Sequence, residues 1–177
     1  MATFFRNSLI SGIGTVEKSF VNISSNSRAT LIGLSLTNTT SDVVLASIKV
    51  QNNTATTTYT SAGSSGTTLV VASTVSVVPG MTITTTGFTV GTIVVSITNA
   101  TTVVLSAGPT GSPANGQAVV FNSISAYYIR NVIVPSNQSL RVINGGEKLV
   151  LAGDMTVYVQ SSSAASLDLI ASYVEII

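Results

Sequence analysis

Thr30-Leu-Ile-Gly-Leu-Ser-Leu36, the polar turn Asn38-Thr-Thr-Ser-Asp42 and Val43-Val-Leu-Ala-Ser-Ile-Lys-Val50 decide the fold class. Both apolar segments alternate with period two, and a turn-forming cluster separates them, which is the pattern of two strands in an antiparallel sheet. Alternation places Ile32, Leu34 and Leu36 on one face of the first strand, with Leu31, Gly33 and Ser35 on the other. In the second strand Val44, Ala46, Ile48 and Val50 face inward, and Lys49 faces solvent.

The pattern extends in both directions. Val16–Ile23 reads as a strand that ends at Ser24-Ser-Asn-Ser-Arg28. Tyr127–Val134 is closed by Pro135, which cannot donate to a ladder. Leu140–Ile143 ends at Asn144-Gly-Gly146, a strong turn signal. Leu149–Ala152, Thr156–Gln160 and Leu167–Ile176 follow. These flanks supply seven or eight strands over about 95 residues, the size of one β-sandwich. β-Branched residues dominate and helical periodicity is nearly absent.

Charge is scarce and unevenly placed. Of 177 residues only 7% are charged, seven Lys+Arg against six Asp+Glu, while 45% are apolar. A soluble domain usually has about 25% charged residues. All thirteen charges lie in residues 1–49 and 130–177, with none between Lys49 and Arg130. This break predicts two modules: a β-sandwich from residues 1–52 plus 123–177, and a charge-free small β-domain, residues 53–122, inserted in a hairpin, where such additions are tolerated. Within the insertion Thr67–Ala72, Met81–Thr85, Thr92–Ile97, Thr101–Ser106 and Gln117–Asn122 read as five strands. Asn52–Ser65 and Ser123–Ser125 read as polar linkers. The fold class expected is all-β: an antiparallel sandwich, jelly-roll or immunoglobulin-like, carrying a second, β-barrel-like domain.

Composition also excludes function classes. The mean hydropathy is +0.55, but the longest apolar runs, such as Val43–Ala46, are four residues, against the ~20 of a spanning helix. No membrane span is expected. Aromatic content of 6% without Trp does not suit the girdles of an outer-membrane barrel. Met1-Ala-Thr-Phe-Phe-Arg6 lacks a basic region followed by an apolar core, so no signal peptide is expected. Without Cys or His there is no thiol chemistry, no Cys- or His-ligated metal and no Ser-His-Asp triad. A net charge of +1 provides no footprint for nucleic acid.

Few residues remain for chemistry. Lys18, Lys49 and Lys148 stand near no nucleophile motif. Glu147 and Asp154 flank one strand and form the only candidate carboxylate pair for glycoside cleavage, yet both read as turn residues. Asp168 reads as an outward strand position. Gly63-Ser-Ser-Gly66 and Ser11-Gly-Ile-Gly14 lack the Lys and the strand-to-helix context of a phosphate loop. Asn22, Asn38, Asn52, Asn99 and Asn137 each start an Asn-x-Ser/Thr triplet, as Ser/Thr abundance alone produces. No enzyme activity, cofactor or metal is expected, although a lone carboxylate with backbone carbonyls leaves calcium open. Phe4, Phe5 and Arg6, read as an arm before the first strand, are candidate assembly contacts. Tyr127 and Tyr128 are candidate glycan contacts.

Three stretches carry a resemblance: Arg6-Asn-Ser-Leu-Ile10 with Gly14-Thr15; Ala29-Thr-Leu-Ile-Gly-Leu-Ser-Leu-Thr-Asn38; and Val134-Pro135 through Gly145-Gly-Glu-Lys-Leu-Val-Leu-Ala-Gly-Asp154 to Ala171-Ser-Tyr-Val-Glu175. The flanks there resemble a small virion structural protein of tailed phages, of the marine and cyanobacterial phage type. Residues 63–122, with Gly66-Thr-Thr-Leu-Val-Val, Pro79-Gly-Met and Ala114-Asn-Gly116, look like a module that recurs in phage tail and fibre proteins. The insertion is the departure from the compact pattern. The resemblance implies a homo-oligomer in the virion that attaches to other virion proteins of capsid or tail, as decoration, cement or a neck or tail accessory. The second reading is an adhesin or fibre component that binds host-surface glycans.

Overall fold

A computed structural model describes residues 1–111 and 113–177, and the side chains of all of these except 61–63. The described residues form strands and turns without a helix. In chain order the strands are β1 (Thr3–Ile13), β2 (Lys18–Asn22), β3 (Arg28–Asn38), β4 (Val44–Asn52), β5 (Ala55–Ser65), β6 (Thr68–Val71) and β7 (Val94–Asn99). They continue with β8 (Thr102–Leu105), β9 (Ala118–Phe121), β10 (Ile124–Val134), β11 (Ser139–Ile143), β12 (Leu149–Leu151), β13 (Met155–Ser161) and β14 (Leu167–Ile176). Two compact units result: Met1–Gln51 with Ser125–Ile177, and Asn52–Ile124.

The discontinuous unit is a sandwich of two antiparallel sheets. The first sheet has the order β1-β14-β3-β11, with β12 also paired to β3; the second has the order β10-β4-β13-β2. Their inner faces meet through Leu31, Leu36 and Leu169 on one side and Ala46, Ile48 and Val159 on the other, all at most 1% exposed. Each large aliphatic side chain so buried contributes about 1.5–3 kcal/mol of transfer free energy. Strands β4 and β10 are neighbours, so the second unit interrupts the connection between two adjacent strands.

Several expectations need correction. The first strand is β1, not Val16–Ile23. Phe4, Phe5 and Arg6 therefore lie inside a ladder that pairs Thr3 with Ile176 and Ile10 with Leu169. β1 escapes the alternation test because its apolar residues occupy both faces. In β3 the face assignment fails at two residues, Leu31 and Ile32. The β14–β3 register runs Ser172↔Gly33, then Tyr173↔Leu31, so Ile32 is the extra residue of a bulge. Leu31 joins Leu34 and Leu36 in the core, and Ile32 turns outward at 43% exposure. Val44, Ala46 and Ile48 are buried, and Val50 packs partly buried against the core.

The inserted unit is one five-stranded sheet of order β7-β8-β6-β5-β9 over a core that includes Leu69, Met81, Leu105 and Phe121. Its first strand is β5, within the segment read as a linker. Thr-rich Ala55-Thr-Thr-Thr-Tyr-Thr60 pairs β9 through Ala55↔Phe121 to Thr58↔Ala118, and Thr is a good strand former despite its polarity. Met81–Thr85 forms no strand. Residues 82 and 83 instead make single bridges, Thr82↔Ile93 and Ile83↔Phe121. These bridges touch the stretch before β7 and the edge strand β9, so the two edges are linked without a closed barrel.

One buried side chain ties the loops of the sandwich together. Asn38 is 1% exposed. Its amide nitrogen lies 2.7, 3.0 and 3.1 Å from the carbonyl oxygens of Asp42, Val134 and Pro135, and its Oδ1 accepts from the Thr40 N–H at 2.9 Å. Asn38→Ala removes the donor from the buried Val134 carbonyl and the ties to Asp42 and Pro135, and should destabilise the fold by about 2–4 kcal/mol. The midpoint of urea unfolding reads the loss; a shift equivalent to under about 0.5 kcal/mol would show that Asn38 is no clamp.

Candidate functional site

The two outward faces of the sandwich differ in kind. On the second sheet several outward polar side chains have partners within the chain. Lys49 Nζ donates to Glu17 Oε2 and sits 5.0 Å from the centroid of the Tyr158 ring. Its side chain is only 16% exposed, so Lys49 faces outward as expected but is covered. The Asn131 N–H donates to Ser47 Oγ at 3.0 Å, and Gln160 Nε2 donates to the Thr15 carbonyl at 2.7 Å. These polar groups have local partners and need none from another molecule.

Tyr127 belongs to the same surface. It lines a crevice with Glu17, Lys49 and Tyr158, and the Arg130 guanidinium lies 5.0 Å from its ring. The crevice is too tight for a water molecule, so it offers a sugar ring no recess. Tyr128 is 37% exposed and does not line it. The structure therefore does not join the two tyrosines into one platform.

The outward face of the first sheet is apolar. Register fixes its rows. Phe5, Val174, Thr30 and Val150 lie abreast across β1, β14, β3 and β12; Leu9, Ile170, Ser35 and Arg141 lie abreast across β1, β14, β3 and β11. Between them runs a row of small residues, Asn7, Ser172 and Gly33. Phe5 is 82% exposed, Leu9 72%, Val150 69% and Ile170 56%. Large apolar side chains gathered on one face mark interaction sites, whereas scattered ones need no explanation. Leu9, Val150 and Ile170 were not singled out by sequence reasoning. The available signal was in Leu167–Ile176, where Leu169, Ile170 and Ala171 put apolar residues on both parities. A strand with one solvated face alternates; one covered on both faces does not.

The candidate assembly triplet divides between the two sides of β1. Phe5 belongs to the apolar outward face. Phe4 and Arg6 turn to the other side, where Arg6 Nε pairs with Glu175 Oε2 at 2.5 Å and the guanidinium lies 5.3 Å from the Phe4 ring. Glu175 is 8% exposed, so Arg6 serves to neutralise a buried carboxylate near the end of β14.

Elsewhere the chemistry is sparse. Glu147 donates its N–H to the Asn144 carbonyl at 3.1 Å in a tight turn, and Asp154 sits at φ 60° in the turn that opens β13. Asp168 Oδ1 accepts the Gly12 N–H at 2.9 Å. No group of three His, Cys, Asp or Glu residues that could hold a metal occurs among the described residues. The inserted unit has an open cleft of about 560 Å³ lined by Tyr59, Ser64, Thr68 and Pro109. A second, of about 520 Å³, lies over Ile83, Phe88 and Val90. No protein family, curated protein or solved structure matches the chain.

Truncating Arg6 leaves Glu175 as an unpaired carboxylate that is mostly withdrawn from water. Because the Arg6 side chain is itself 45% exposed, the effect is moderate: Arg6→Ala should lower stability by about 1–2 kcal/mol. Arg6→Ala combined with Glu175→Gln should recover part of it. Chemical denaturation of the single and double variants checks this, and equal losses in the two would remove the ion pair from the account.

Proposed function

We propose that this chain is a non-enzymatic structural protein that works by assembly, as a self-associating virion protein of a tailed phage attached to capsid or tail. The observation that carries the reading is the apolar outward face of the first sheet, opposite a second sheet on which Lys49, Glu17, Ser47 and Gln160 have partners within the chain. Interface cores are depleted in charge and obligate ones are strongly apolar. A chain with 7% charged residues and an uncovered face of this kind is prone to associate. Membership of a virion rests on the resemblance of the flanks. The inserted unit is read as the part that projects from the particle.

The cleft beside Tyr59 favours one second reading, that of a glycan-binding adhesin or fibre component. It combines an aromatic ring with Ser and Thr hydroxyls, the chemistry that sugar recognition uses. A glycan array probed with the whole chain tests it, and binding that survives Ser64→Ala and Thr68→Ala would move the ligand elsewhere.

The assembly reading expects the purified chain to sediment as an oligomer at micromolar concentration. It also expects peptides of the chain in the mass spectrum of purified particles. A monomer up to about 100 µM, with no such peptides, would sink it; obligate interfaces of standard size hold far below that concentration.

A further inference from the structure

We propose that the outward face of the first sheet is a twofold interface, in which a second copy of this chain packs face to face with its strands antiparallel. This rests on the self-association reading and adds the surface, the symmetry and the residue pairs.

On β1 and β14 the face is symmetric about its central row. Phe5 pairs Val174 and Leu9 pairs Ile170, two residues either side of the Asn7↔Ser172 pair. A twofold axis along the row Asn7, Ser172 and Gly33 therefore lays Phe5 of one copy over Leu9 of the other, and Val174 over Ile170. Such an isologous contact is self-complementary by construction. The axial row is small, and the Ser172 hydroxyl already donates to Asn7 Oδ1 at 2.8 Å. Covering it leaves that hydroxyl paired.

Shape and charge agree with this axis. Beside it lies a shallow depression of about 290 Å³ lined by Gly33, Ser35, Arg141, Ile170 and Ser172. The bulge pushes Ile32 outward on the other side of the axis, where the rotation lowers it into the partner's depression. Within the five strands the outward charges are Arg28, Arg141 and Asp168. Arg28 pairs Ile176 at one end of the β14–β3 ladder, and Asp168 pairs Thr37 near the other. The rotation sets Arg28 of each copy over Thr37 of its mate, one strand spacing of about 4.8 Å from Asp168. Opposite charges thus lie near one another twice, while the third charge, Arg141, is laid over Val150 of the mate, against which its aliphatic stem packs.

Area is sufficient. Phe5, Leu9, Ile32, Val150, Ile170 and Ile176 are 82, 72, 43, 69, 56 and 37% exposed. Together they present about 600 Å², the upper end for the largest patch on an ordinary monomer. That is most of the ~800 Å² that each partner buries in a standard interface. Sheets packed in this way keep their strands within about 30°, as the geometry requires.

Sedimentation velocity on the whole chain decides it, between about 1 and 100 µM, the range in which a standard interface is populated. The wild type should sediment as a dimer or larger. Phe5→Lys and Leu9→Glu should each weaken association at least tenfold, and Asn22→Lys, on the opposite sheet, should leave it unchanged. An equimolar mixture of the Phe5→Lys and Leu9→Glu chains should restore association, because the introduced ammonium meets the introduced carboxylate at one end and the native pair meets at the other. Circular dichroism confirms the fold of each variant, and Val150→Glu reads the same face from a separate strand. If the wild type associates and these variants associate equally well, the face is wrong and the assembly reading stands. If the variants are monomeric and the mixture stays monomeric, the twofold register is overturned. A monomeric wild type removes both.

Discussion

The ladder between β3 and β14 is the pairing on which the sandwich depends. It runs from Leu167↔Asn38 to Ile176↔Arg28 and joins the two segments that the inserted unit separates. Every other strand of the first sheet attaches to it: β1 to β14, and β11 and β12 to β3. The second sheet is likewise mixed, with β4 and β2 from one segment beside β10 and β13 from the other. Neither segment holds a complete sheet, so the sandwich core forms only when both come together. An insertion costs little under this constraint, since closing a loop of twice the length costs only about 0.6 kcal/mol more. The inserted unit also has its own core, with Leu69, Val103, Val119 and Phe121 fully buried.

Much of this organisation was legible because it follows from composition and alternation. All thirteen charges fall outside residues 52–124, and the all-β class was plain from the density of β-branched residues. β14 was read at its observed limits because the loop Ser161-Ser-Ser-Ala-Ala165 marks its start. Three features were hidden, each for a physical reason. β5 is rich in Thr, whose hydroxyl suggests a loop while its branched carbon favours a strand. β1 has apolar residues on both faces, so its periodicity carries no single-sided signal. Met81–Thr85 has strand composition but lies between two edges, where only single bridges form.

The candidate site was legible in part. Phe5 was singled out as an assembly contact, and the structure places it on the apolar face; Arg6, beside it in sequence, is taken up by Glu175. Adjacent residues on a strand point to opposite sides, so a triplet cannot act as one contact. The same rule separates Tyr127 from Tyr128. The outward apolar face itself was invisible without register, because Leu9, Ile32, Val150 and Ile170 come from four strands and meet only across ladders.

The bulge at Ile32 links fold to surface. With strict alternation, placing Leu34 and Leu36 inward would also place Ile32 and Thr30 inward and turn Leu31 and Ala29 to solvent. One additional residue reverses the parity at that point. Leu31 and Ala29 become buried, at 0 and 2% exposure, and complete the core opposite Tyr173 and Glu175. The same step ejects Ile32 onto the outward face. The residue that the core cannot accommodate is thus added to the surface that lacks cover. The burial of Leu31 and Ala29 in the core and the exposure of Ile32 on the outer face are thus consequences of one local irregularity.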